Sequence, residues 1–227
     1  MPTKIEWTDE TWNPVTGCTK VSAGCQNCYA ERDWKRVYGK RLFTEVQVHR
    51  NRYPQPLRWQ KPRRVFVCSM GDLFHKDVNN GWRAAIFAIM ASAPQHHFQV
   101  LTKRPHRMLE WLQGVGNSGD PVALLQVMLR MELGLMGLGE PPEWKWPTSK
   151  AWPNLVEAGV KWPLPNVWLG VSVEDQRAAN ERIPVLLQCP AAVRFVSCEP
   201  LLGPVDLYRW LEPVGQDSWR PGRDSRS

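Results

Sequence analysis

Four short runs of β-branched and aromatic residues recur along the chain, each closing on polar residues or a turn. Arg64-Val65-Phe66-Val67-Cys68-Ser69 leads into Met70-Gly71-Asp72, and Phe98-Gln99-Val100-Leu101-Thr102 leads into Lys103-Arg104-Pro105. Val167-Trp168-Leu169-Gly170-Val171-Ser172 runs into Val173-Glu174-Asp175, and Val193-Arg194-Phe195-Val196-Ser197 into Cys198-Glu199-Pro200. Near-continuous apolar runs of this length, bounded by turn residues, predict strands buried on both faces. Between them lie patterns of helical period. Gly81 to Ala93 is one, Pro105 to Leu112 a shorter one opening on proline, and Glu174 to Leu187 a third with acidic residues in its first turn. Strand and helix in alternation predict a parallel α/β sheet or barrel.

In such folds ligands gather beyond the carboxyl ends of the strands. That rule nominates Ser69, Asp72, Thr102, Lys103, Ser172, Glu174, Cys198 and Glu199. For Ser172 and Asp72 a capping role competes evenly with a functional one, whereas Lys103 and Glu199 carry charge immediately beyond a strand. The pattern breaks over residues 113–165, where a glycine-rich stretch, a methionine-bearing helical pattern over Val122 to Leu138 and a segment studded with Trp and Pro follow one another. This stretch reads as an insertion or lid within one domain spanning 1–210, and 211–227 as a polar, disordered tail. Methionines on an apolar helix point to core before binding surface.

Composition adds two constraints. Apolar residues are 43% and charged residues 22% of the 227, which fits a globular chain and excludes wholesale disorder. A net charge of +7 favours an anionic partner such as nucleic acid, a nucleotide or a phosphorylated substrate. The excess is gathered in Arg32, Lys35, Arg36, Lys40 and Arg41, in Lys61, Arg63 and Arg64, and in Lys103, Arg104 and Arg107. Thirteen tryptophans could stack on bases, although a Trp-rich core is the plainer reading. With neither a membrane-length apolar stretch nor an apolar leader, the expected location is the cytoplasm. Six cysteines there suggest ligands or nucleophiles before disulfides.

Three of the cysteines are close together. Cys18-x6-Cys25-x2-Cys28 follows the turn-forming segment Trp12 to Gly17, and Tyr29-Ala30-Glu31-Arg32 begins a helix after the third. Three thiols within eleven residues of a loop are poor core material and good ligands. Zinc asks for four protein donors in a closed site, for which His49, Cys68 or His75 would have to arrive through the fold. A [4Fe-4S] cluster also takes thiolates, and with three of them one iron stays open. Both readings stand on spacing alone.

The ordered segments WNPVTGCTKVSAGCQNCYAER, VFVCSMGDLFH, FQVLTKRP, NVWLGVSVEDQ and FVSCEPLLGPVDL resemble a phage-associated three-cysteine family described as radical-SAM-like and of uncharacterised function. The resemblance runs from about residue 4 to residue 208, interrupted around 113–165. It implies a partial (β/α) TIM-type barrel and a [4Fe-4S] cluster on Cys18, Cys25 and Cys28. It further implies S-adenosylmethionine on the open iron, cleaved to a 5′-deoxyadenosyl radical that takes hydrogen from a substrate. Ser69, Asp72, Ser172 and Glu174 would then hold the cofactor, and Lys103, Glu199 and Cys198 would stand at the reacting end. Here Asn27 precedes the last cysteine and Tyr29 follows it, and the spacing is not the C-x3-C-x2-C of most radical-SAM enzymes. Relatives continue past Leu-Gly-Pro-Val-Asp with a further strand, where this chain ends in LEPVGQDSWRPGRDSRS. The expectation is a barrel incomplete at its C-terminus, active, inactive, or needing a protein partner over its open edge. A zinc-stapled nucleic-acid-binding module without catalysis is the alternative.

Overall fold

The computed structural model describes residue 3 and residues 5–134 and 154–211. Its first half holds strands β1 (Glu10–Trp12), β2 (Val15–Thr16), β3 (Gln47–Val48), β4 (Arg64–Val67) and β5 (His97–Thr102), with helices α1 (Tyr29–Arg32), α2 (Trp34–Tyr38), α3 (Asn80–Ala91), α4 (Pro105–Gly116) and α5 (Pro121–Gly134). Strand β6 (Val167–Ser172), helix α6 (Gln176–Gln188), strand β7 (Val193–Ser197) and helix α7 (Tyr208–Leu211) complete it.

Five strands form one parallel sheet in the order β1-β4-β5-β6-β7, and β2 and β3 pair antiparallel beside it. Register is continuous across the main sheet: Phe66 faces Gln99, Gln99 faces Trp168, and Gly170 lies between Leu101 and Phe195. Each strand neighbours its predecessor in this sheet. Right-handed crossovers that always step the same way keep their helices on one face. Val65, Val67, Phe98, Val100, Leu169 and Val171 accordingly join the buried faces of α3, α4, α5 and α6 in one core. Phe66 stands apart from that core, against Trp7 at 4.7 Å between ring centroids, and Gln99 donates from its amide to the Trp7 carbonyl at 3.3 Å. The face without helices is thus partly covered by the N-terminal segment.

The result is a mixed α/β fold with a five-stranded parallel sheet flanked by helices. Among the described residues the sheet does not close, and β1 and β7 are its edges. Several boundaries differ from the sequence reading for local reasons. Helix α6 begins at Gln176 rather than Glu174, because Asp175 is its cap and accepts from the Ala178 N–H at 2.8 Å. Helix α4 runs on past Leu112 to Gly116, since buried Met108, Trp111, Leu112 and Val115 keep one helical stripe. Helix α5 lies within the stretch read as an insertion or lid, yet it packs on α3 and buries Leu125 and Leu129 in the main core. The rest of that stretch from 135 to 153, and the tail from 212, lie outside the described residues. No helix among the described residues is long and apolar enough to cross a membrane.

Candidate functional site

The carboxyl ends of β4 to β7 and the loop between β1 and α1 enclose a cavity of about 460 Å3. Cys18, Cys25 and Cys28 line one side of it. Ser69, Asp72, Lys103, Ser172 and Glu199 line it as well, joined by Trp7, Phe66 and Leu101 from the open face of the sheet. Glu174 and Cys198 are not among the lining residues.

The cysteine loop is fixed before its thiols are reached. Gly17 has φ +91°, and a Cβ there would sit 2.4 Å from the Glu45 carbonyl oxygen, so only glycine fits that approach. Its N–H donates to the Met70 carbonyl at 2.9 Å, and the Cys18 N–H to the Phe43 carbonyl at 2.9 Å. Thr19 is gripped on both sides: Arg104 Nη2 donates to its carbonyl (2.9 Å) and hydroxyl (3.0 Å), and the hydroxyl also bonds His75 Nε2 at 2.8 Å. Cys25 closes a 3-10 turn over Ala23–Cys25, its N–H donating to the Ser22 carbonyl at 3.0 Å. Cys28 is the residue before α1 and packs, with Cys18, on a small second core of Ala30, Trp34 and Phe43.

Electrostatics divide the thiols. Burial, with Asp72 adding to it, pushes the Cys18 thiol up to about 11 although Arg104, 4.0 Å from its sulfur, pulls the other way. Left to itself Cys18 is a thiol. A bound cation is what would make it a thiolate, since a coordinating thiol is deprotonated outright. Cys68 lines the same cavity from a left-handed conformation (φ +60°), and burial pushes it up to about 12.

Several predicted residues support the wall rather than face a ligand. Asp72 accepts from Thr102 Oγ1 at 2.9 Å, from the Phe74 N–H at 2.9 Å and from the Lys103 N–H at 3.3 Å, with Arg104 Nε at 3.8 Å. Its oxygens are largely spoken for. Ser69 is bonded to the Asn13 amide at 3.1 Å, and Asn13 also accepts from the Met70 N–H at 2.8 Å. Glu174 is fully buried and paired with Arg182 at 2.8 and 3.1 Å. A Cβ on Gly24 would lie 3.0 Å from its carboxyl carbon, so the cysteine loop leans directly on this pair. Burial pushes the Glu174 carboxyl up, but hydrogen bonds from Ser22 and Arg182 outweigh it and hold it below its ordinary value.

The two histidines considered as zinc ligands are engaged elsewhere: His49 Nε2 bonds Thr16 Oγ1 at 2.7 Å and His75 bonds Thr19. Among the described residues no group of three or more His, Cys, Asp or Glu side chains stands together as a single-ion site. Lys103 and Glu199 bring a cation and an acid to the lining, and Ser172 a hydroxyl.

Sequence reasoning counted Arg104 only as part of a cationic cluster, not as a support of the cysteine loop, and did not nominate Asn13, Tyr29, Ser22 or Trp7. Arg104 could have been found, because it follows Lys103 beyond β5. Tyr29 donates its hydroxyl to the Ser69 carbonyl at 2.6 Å, a link between α1 and the end of β4 that no local pattern encodes. No curated protein and no solved structure matches the chain. Residues 2–220 do match one family model, described as Protein of unknown function (DUF5131), and the chain belongs to that family.

Proposed function

We propose that this chain is an iron–sulfur protein of radical-SAM type built on a partial (β/α) barrel, in which Cys18, Cys25 and Cys28 hold a [4Fe-4S] cluster and the adjoining cavity takes S-adenosylmethionine and a substrate. The observation that carries this reading is that all three cysteines share one cavity with the carboxyl ends of four consecutive parallel strands. Sequential strand order, with helices gathered on one face, is the order of neighbouring strands in a (β/α) barrel, whose reactions run at that end. Three thiolates suit a cluster with one open iron better than a closed zinc site, which asks for a fourth donor.

Cluster and S-adenosylmethionine together would supply one-electron chemistry, and the chain supplies their setting. Arg104 and His75 hold Thr19, and with it the backbone beside Cys18. Glu174 and Arg182 brace the turn that carries Cys25. Trp7, Phe66 and Leu101 give the cavity an apolar wall, while Lys103, Glu199 and Ser172 offer a cation, an acid and a hydroxyl to whatever is bound. Asp72 acts through its neighbours by fixing Thr102 and the Lys103 backbone.

Anaerobic purification followed by iron, sulfide and zinc analysis tests this. Wild-type protein should carry about four irons and four sulfides per chain, and C18A/C25A/C28A should carry neither. S-adenosylmethionine cleavage under reductant should follow the iron. Stoichiometric zinc without iron would remove the radical reading and leave the zinc-stapled binding module.

A further inference from the structure

The outer side of the cavity wall is strongly cationic. Residues 29–52 contain seven Lys or Arg against three Asp or Glu, a net +4 within a chain of +7. Not all of that charge is available. Arg41 lies over the Trp34 and Tyr38 rings at 4.5 and 4.8 Å and bonds Thr16, Arg50 is bound to Glu132 at 2.6 Å, and Arg52 donates to the Asn13 carbonyl. These three hold the segment together. Arg32, Lys35, Arg36 and Lys40 are exposed instead. Arg32 and Arg36 share the single acid Asp33 at 3.7 and 3.6 Å, and no ion pair holds Lys35 or Lys40 among the described residues.

This patch is continuous with the cavity. Cys28, Tyr29 and Ala30 line the cavity and belong to the same turn as Arg32. Phe43 lines it too and packs edge-on against Trp34 of α2 at 5.0 Å, so Lys35 and Arg36 stand on the back of that wall. Inside, Trp7 is half-buried against Phe66 and at 6.4 Å from Phe195, an aromatic cluster on the helix-free face. An exposed run of cations leading to an aromatic-lined cavity is the arrangement by which proteins track a phosphate backbone and stack a base. Reaching a base in such a cavity requires a single strand or an extruded nucleotide.

We propose that the face formed by residues 29–42 docks a single nucleic-acid strand through its phosphates and presents one base to the cavity, with Trp7, backed by the buried Phe66, as the stacking ring. This names the substrate class for the site proposed above, and only the chemistry, not the docking, rests on that reading. A free nucleotide shares the base and phosphate chemistry, but the exposed cations lie outside the cavity, where only a longer chain of phosphates reaches them.

The test is fluorescence anisotropy of the full-length protein with a labelled single strand of about 20 nucleotides, longer than the ~4–16 nucleotides that one binding groove covers. Measured near 0.1 M salt and then titrated with salt, K35E/R36E/K40E should weaken binding roughly tenfold or more and lower the salt slope by about 2. A control of equal charge change on other surfaces, K61E/R130E/R177E, should do neither. W7A should cost roughly fivefold or more with the salt slope unchanged, and W7F should recover most of it. Equal losses in the two triple variants, no strand binding, binding of anionic phosphatidylserine vesicles in its place, or a mononucleotide bound as tightly as the strand would each overturn the proposal. Iron analysis on the same preparations separates the two readings. Strand binding without iron keeps the docking surface and removes the cluster; iron without strand binding does the reverse.

Discussion

Glu174 gives the sharpest test of how the fold holds the cysteine loop. Its carboxylate and the Arg182 guanidinium are 2% and 5% exposed, and Arg182 also donates to the Ser172 carbonyl at 2.8 Å. Neutralising one member of such a pair strands the other charge in a dry site, which costs about 3–5 kcal/mol. E174Q is the cleanest perturbation, because it is isosteric and preserves the tight packing against Gly24. For a chain of this length each kcal/mol moves Tm by about 2–4 °C, so E174Q should melt roughly 6–20 °C below wild type. Replacing both partners, as in E174Q/R182M, removes the stranded cation and should recover much of that loss, giving a coupling well beyond simple additivity.

The sign of the pH dependence follows from the depressed carboxyl. A folded-state pKa below the unfolded value of ~4.3 contributes stability that is present above that value and lost as pH falls through the folded one. The deficit of E174Q should therefore stay level from pH 7 down to about 5 and shrink below about 4. Calorimetry across that range, with iron content measured alongside, checks both the pair and its bearing on the loop. A Tm within about 2 °C of wild type, or losses that simply add in the double variant, would mean that the pair is screened by solvent and refute the reasoning.

Two further outcomes follow from the packing. L125A should cost about 2–5 kcal/mol in a denaturant titration, because Leu125 is wholly buried where α5 meets α3; a cost below about 1 kcal/mol would put α5 outside the core. His49 is pushed down to about 4 by burial and by Arg52 and Arg41, so the folded protein keeps it neutral while the unfolded chain protonates below about 6.5. Stability should fall as pH drops from about 6.5 towards 4, by less than the ~1.4 kcal/mol per unit of a fully buried group because His49 is only partly buried and solvent screens it, and H49Q should flatten that slope in melts taken across the range.

Strands were the most legible part of the fold. The four apolar runs became β4, β5, β6 and β7 almost residue for residue, and in β4, β5 and β6 the unbroken apolar signal is that of strands buried nearly throughout. Strand β7 departs from that expectation: it is the sheet edge, and its five residues are all exposed or half-buried. Strand β1 carries no such signal: it is three residues long and pairs with a strand more than fifty residues later, a decision made by tertiary contact alone. Glycines at 114 and 116 hid the last turn of α4, which the core stripe through Val115 nonetheless sustains. At the site, the strand-end rule placed Ser69, Asp72, Lys103, Ser172 and Glu199 on the cavity. It could not distinguish residues that face the cavity from neighbours that turn away, which is why Glu174 meets Arg182 and Cys198 lies off the lining. Such choices depend on a distant arginine, whose partner no local pattern names.

The cysteine loop has little core of its own, only Ala30, Trp34 and Phe43, yet it is held from several independent directions. Met70 fixes Gly17, Phe43 fixes Cys18, Arg104 and His75 fix Thr19, and Glu174 backs Gly24. Three of those supports come from β-strand ends or the segments just beyond them, so the thiols are referenced to the sheet rather than to one another. Loop supports of this kind spend buried charge: Asp72 and Glu174 lie beside Arg104 and Arg182 around a mostly apolar cavity. A loop that served only as a connection would gain nothing from it, because surface connections tolerate change and mobility at small cost. Fixing the supporting shell before a ligand arrives is what a reacting or metal-holding centre requires, since positional error there is paid in affinity and rate. The same logic explains why strong perturbations of this loop should come from Arg182 and Glu174, which lie off the cavity lining, as well as from Arg104, which is part of it.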